Sequence, residues 1–148
     1  MEQLLKDSAA RQEVEDKGVI IRPLLEPDEL QAIRDLYNEV HPDGEVPQMR
    51  DGIHMTIWCS DRAYKMKVHD RLQAILQPAL ARMFDDFRIV SPVFIVKRQG
   101  ADTKFPIHQD WNIVDEARHR AFNIWIPLHD VDATNGSLWH VPGSHRLP

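Results

Sequence analysis

The chain has 148 residues, the length of a single domain, and its 18 Lys and Arg against 23 Asp and Glu leave a net charge of -5 with no long run of either sign. That balance argues against a phosphate-backbone binder, so no nucleic-acid partner is expected. The single cysteine, Cys59, excludes an internal disulfide or a CxxC metal or redox motif and reads as a small, half-buried apolar residue.

The leader MEQLLKDSAARQEVEDK is charged throughout and lacks the apolar stretch of a secretory signal. No apolar run approaches the roughly 20 residues that span a bilayer. A cytoplasmic protein without a membrane partner is expected. The leader itself is compatible with a short helix. GVIIRPLL (18–25) is rich in β-branched residues and reads as a strand. EPDELQAIRDLYNEV (26–40) reads as an amphipathic helix, with Pro27 in the first turn, Asp28 and Glu29 beside the helix N-terminus, and an apolar stripe of Leu30, Ile33, Leu36, Tyr37 and Val40. HPDGEVP (41–47) reads as a turn.

A second helix is predicted from a cap at Ser60 or Asp61, with Tyr64, Val68, Leu72, Ile75 and Leu76 on its apolar face. Pro78 lacks a backbone donor, and should kink this helix or open a new short turn towards Met83 and Phe84. From residue 87 the period shortens. FRIVSPVFIVKRQ (87–99), AFNIWIPLHDV (121–131) and SLWHVP (137–142) read as strands, with ATNG (133–136) as a turn. Helices first and strands after give an α+β fold, N-terminal helices packed on an antiparallel sheet, in one domain over 1–148.

Within FPIHQDWNIVDE (105–116), His108 and Asp110 are spaced as HxD. With 8 His in 148 residues one such pair is expected by chance, and a second is present at His41 and Asp43, where Pro42 and Gly44 indicate a turn. Context favours the first. In a strand, residues i and i+2 point to one face about 6.6 Å apart, so His108 and Asp110 could converge on one ion. The plainer reading is a surface His-Asp hydrogen bond.

HQDWNIVDE followed by FNIWIPLHDVDATNGSLWHVPGSHR resembles the phytanoyl-CoA dioxygenase family of Fe(II)/2-oxoglutarate-dependent oxygenases, and GVIIRPLLEPDELQAI resembles the lead-in of such proteins. The resemblance implies a double-stranded β-helix, a jelly-roll or cupin-like barrel with iron in a 2-His-1-carboxylate triad at its mouth. By position His108 and Asp110 match the first histidine and the carboxylate. A carboxylate at 110 argues against the halogenating relatives. Phe105, Asn123 and Trp125 match positions that line the 2-oxoglutarate pocket, although core packing accounts for Phe105 and Trp125 equally well.

Ser144 and His145 are not read as a nucleophile pair, because neighbours in an extended segment point apart and no nucleophile elbow precedes them, and His119, His129 and His140 read as surface or structural residues. Of these His129 shares the predicted face of Asn123 and Trp125. In complete members of the family the second iron histidine and the arginine for the distal carboxylate follow the PGSH segment, so the chain is expected to hold roughly the first half of the barrel and to lack both. Three readings follow. One is a hydroxylating dioxygenase of a small organic substrate, inactive in this shortened form alone. Another is a non-catalytic scaffold that forms homo-oligomers through an open sheet edge. The last is a minimal metal-binding domain that recruits His129 or His140.

Overall fold

The computed structural model describes residues 4–100, 103–108, 114–115 and 118–146. Three helices carry the core, and each starts where its sequence supplies a cap. Helix α1 (Ser8–Lys17) opens on Asp7, whose carboxylate accepts from the Ala9 amide at 2.8 Å, and ends on Gly18 at φ 78°. In α2 (Pro27–Val40) the Glu29 carboxylate reaches back to accept from the Glu26 amide at 2.8 Å, with Pro27 in the first turn. Asp61 caps α3 (Arg62–Met83) by accepting from the Tyr64 amide at 3.1 Å.

The apolar stripes of α2 and α3 face each other. Ile33 and Leu36 from α2 meet Val68 and Leu72 from α3 and Phe94, with Tyr37, Val40, Tyr64, Ile75 and Leu76 packed around them. A smaller cluster of Leu5, Ala10, Leu80 and Phe84 joins α1 to the end of α3. Helix α3 passes through Pro78 as one continuous helix. Ala79 and Leu80 beyond the proline are buried, so apolar burial holds the last turn in line despite the lost backbone bond.

The sheet among the described residues has two strands, β1 (Ile53–Met55) and β2 (Ile95–Lys97), antiparallel with Ile53 opposite Lys97, His54 opposite Val96 and Met55 opposite Ile95. Thr56 extends the pairing, its amide donating to the Phe94 carbonyl at 3.0 Å while its hydroxyl accepts from the Phe94 amide at 3.0 Å. The fold is thus α+β, as expected, with a much smaller sheet.

The strands read at 18–25, 121–131 and 137–142 are not formed, and the run at 87–99 is a strand only at Ile95–Lys97. A strand needs a ladder partner for its amides and a buried face for its side chains. These segments have no ladder partner among the described residues and are only partly covered: Ile20, Leu24, Leu25 and Leu128 pack on the core, whereas Ile21, Phe122, Ile124, Leu138, Trp139 and Val141 remain exposed. The 121–131 segment is tied down instead by Arg34 of α2, which donates to the Leu128 carbonyl at 2.9 Å. Cys59 is fully buried rather than half-buried. No helix among the described residues is long and apolar enough to cross a membrane.

Candidate metal site and its relatives

β2 leads directly into the segment that carries the candidate site. Lys97, its last residue, places its ammonium 4.8 Å from the centre of the Phe105 ring, a cation-π contact that ties the strand end to the following loop. Phe105 in turn lies 5.9 Å, centroid to centroid, from His108. These two distances put the ammonium no more than about 11 Å from the His108 ring.

His108 is exposed and oriented by its own backbone: Nδ1 lies 2.7 Å from the Pro106 carbonyl. A carbonyl only accepts, so the neutral ring carries its proton on Nδ1 and its lone pair on Nε2. A backbone carbonyl fixing one imidazole nitrogen so that the other can ligate is the usual support for a metal-bound histidine. His108 therefore fits the role of an iron ligand through Nε2. Asp110 lies outside the described residues. Among the described residues, which do not include Asp110, no three His, Cys, Asp or Glu side chains cluster closely enough to hold a metal ion.

Phe105 is thus beside His108. Asn123 and Trp125 are both exposed in the segment after residue 120. No ring contact or hydrogen bond among the described residues joins Trp125 to Phe105 or His108.

The sequence matches the phytanoyl-CoA dioxygenase (PhyH) family over residues 15–148. The chain belongs to the phytanoyl-CoA dioxygenase family. Curated relatives include phytanoyl-CoA dioxygenase 1 of Oryza sativa subsp. japonica, 31% identical over 58 residues, which are 39% of this chain and 21% of the relative. The phytanoyl-CoA dioxygenase of Arabidopsis thaliana is 33% identical over 58 residues, 39% of this chain and 20% of the relative. Phytanoyl-CoA dioxygenase domain-containing protein 1 of Danio rerio is 32% identical over 59 residues, with the same coverage of 39% and 20%. The matched stretch spans about a fifth of the length of these relatives. No solved structure gives a significant match.

The family match also bears on the loop 143–146, part of the PGSH motif, which docks on the C-terminus of α1. The His145 Nε2–H donates to the Glu15 carbonyl at 3.1 Å, Arg146 to Glu15 and Asp16 carbonyls at 2.7 and 3.2 Å, and the Gly143 amide to the Lys17 carbonyl at 3.2 Å. These are carbonyls that the helix leaves without internal partners, and two basic side chains at the negative end of its dipole are favourably placed. The motif has a structural use as a remote helix cap, with Ser144–Arg146 in a short 3-10 turn rather than the extended segment expected.

Proposed function

We propose that this chain supplies the first histidine and the carboxylate of the iron site of an Fe(II)/2-oxoglutarate-dependent dioxygenase that hydroxylates a small organic substrate. Family membership, with the Nδ1-anchored His108 at the matching position, supports this reading. The complete fold on this reading is a double-stranded β-helix, to which the exposed apolar segments 121–126 and 137–141 would contribute strands.

His108 Nε2 and the Asp110 carboxylate would hold the metal, and Phe105, Asn123 and Trp125 would border the cosubstrate. Bound iron and 2-oxoglutarate would together supply the oxidising power to place one oxygen atom of O2 in a substrate C–H bond, the other leaving in succinate as CO2 is released. The chain's own residues orient this chemistry. The Pro106 carbonyl keeps the proton on His108 Nδ1, and the Lys97 contact holds Phe105 against the histidine. The outer edge of β2 has no ladder partner among the described residues, which favours self-association there, readable as a concentration-dependent mass in sedimentation.

Mn(II) tests the site as a paramagnetic stand-in for Fe(II). On this reading it broadens the NMR signals of His108 and Phe105 far more than those of His41 and His54, and His108→Ala removes the effect. Broadening that survives His108→Ala would refute the assignment.

A further inference from the structure

The core holds a second histidine cluster that the candidate site does not use. His41, at the end of α2, and His54, in β1, are each 1% exposed, and both turn Nε2 towards the hydroxyl of Tyr64 on α3, at 2.7 and 2.9 Å. His54 Nδ1 lies 2.7 Å from the Gln48 carbonyl. His41 Nδ1 is buried without a hydrogen-bond partner.

The direction of every proton in this chain follows from the Gln48 carbonyl. It can only accept, so neutral His54 carries its proton on Nδ1 and presents a bare Nε2. That nitrogen must accept the Tyr64 hydroxyl proton. The Tyr64 oxygen then accepts from His41, which places the His41 proton on Nε2 and leaves Nδ1 as the unpartnered lone pair. The relay runs one way, from His41 through Tyr64 and His54 to Gln48, and it is complete only while both rings are neutral.

A proton added to His54 Nε2 would set two donors against one hydroxyl and remove the acceptor of the Tyr64 proton. A proton added to His41 Nδ1 would bury a cation. The groups facing His41 offer it no carboxylate: Tyr37 from α2, His54 from β1, Tyr64 from α3 and the Phe94 ring before β2. Thr56, which acts on Tyr64, carries no charge either. Burial first, and the neighbouring His54 second, hold His41 down to about 4; the Tyr37 carbonyl opposes this from nearby, but it accepts from the His41 backbone amide and makes no hydrogen bond to the ring.

We propose that the His41, Tyr64 and His54 relay is an acid-sensitive latch that clasps β1 to α2 and α3 and, through the β1–β2 pair, governs the order of the segment bearing His108. The connection is physical and short. His54 pairs with Val96, the next pair along is Ile53 with Lys97, and Lys97 sits on Phe105 beside His108. Opening the latch frees β1, and β2 loses the strand that steadies Lys97. The link to His108 as a ligand rests on the function proposed above, whereas the latch itself does not.

The test is hydrogen exchange of the His54, Val96 and Arg98 amides, which lie in the hydrogen-bonded pairs of the β1–β2 ladder, in the full chain between pH 7.5 and pH 4, corrected for intrinsic rates, with 15N-labelled histidine signals recorded alongside. The latch requires the Nδ1–H form of His54 and the Nε2–H form of His41 at neutral pH, and corrected exchange at least about tenfold faster at the acid end. Tyr64→Phe removes the shared hydroxyl and keeps the ring. Its hairpin amides should exchange at pH 7.5 as the parent does in acid. Should that variant not fold, His41→Gln keeps a donor to Tyr64 without a titrating ring, and the acid step should shrink or move. The opposite tautomers, or an acid step identical in parent and variants, would overturn the latch. Failure of Mn(II) to find His108 at pH 7.5 with the hairpin protected would instead overturn the iron-site reading alone.

Discussion

Gly18 stands where two structural demands meet, and replacing it with alanine should be disproportionately damaging. Its φ of 78° is the left-handed conformation that ends α1, which costs an alanine about 1 kcal/mol or somewhat more. A Cβ at this position would also overlap the imidazole of His145, inside van der Waals contact with Nδ1 and Cγ. The ring must then leave, and with it the bonds from His145, Arg146 and Gly143 to the last carbonyls of α1. These bonds are exposed and sit at the low end of the range, roughly 0.5 kcal/mol each. Gly18→Ala should therefore lower stability by about 2 to 3 kcal/mol, read as a drop in the urea midpoint at constant slope. Adding His145→Ala removes the overlap and leaves the backbone term, so the double variant should be more stable than Gly18→Ala alone. A loss under about 0.5 kcal/mol, or strictly additive effects, would refute the docking of this loop on α1.

Leu36 is 1% exposed between α2 and α3, and Leu36→Ala should cost about 3 kcal/mol in the same denaturation assay. Pro78→Ala restores a backbone donor inside α3 at an exposed position and should raise the thermal midpoint, by an amount equivalent to about 1 to 3 kcal/mol. Glu29 is lowered to about 2, first by the Arg82 hydrogen bonds at 2.6 and 2.8 Å and then by the Glu26 amide. A depressed carboxylate favours folding above its ordinary range near 4.5 and loses that contribution as the pH falls through about 2. Arg82→Ala should accordingly make the Glu29 carboxyl titrate at a higher pH by NMR; an unshifted titration would dismiss the pair.

The helices were legible because their signals are local. Pro27 with Glu29 and Asp61 with Val68 and Leu72 declare a start and a buried face within a few turns. Strands are different, because alternation states which face could be buried and not which partner will cover it. FNIWIP alternates well, yet Phe122, Ile124 and Trp125 are exposed and the backbone is held by Arg34 rather than by a neighbouring strand. β1 was unreadable for the opposite reason: IHM is three residues long and centred on a polar side chain that is buried only because Tyr64 and Gln48 satisfy it. The turn after α2 was correctly placed, but it concealed His41. A usable signal existed, since His41 lies four residues after Tyr37 and continues its stripe onto the core.

The family was legible as a resemblance carried by HQD, FNIW and PGSHR, and the family match over 15–148 agrees with it. What the sequence could not supply was the geometry around the ligand: the Pro106 carbonyl that fixes the His108 ring, and the Lys97 ammonium over Phe105. Both depend on where β2 delivers the chain. That position is set by its pairing with β1, which no local pattern announces.

The most direct measurement is an anaerobic titration of the folded 148-residue chain with Fe(II) and 2-oxoglutarate, following the visible charge-transfer band of the chelate, with His108→Ala and Asp110→Ala alongside. The account predicts a band in the parent that is lost in both variants while their folds persist. A folded parent without a band, or a band that survives His108→Ala, would contradict it.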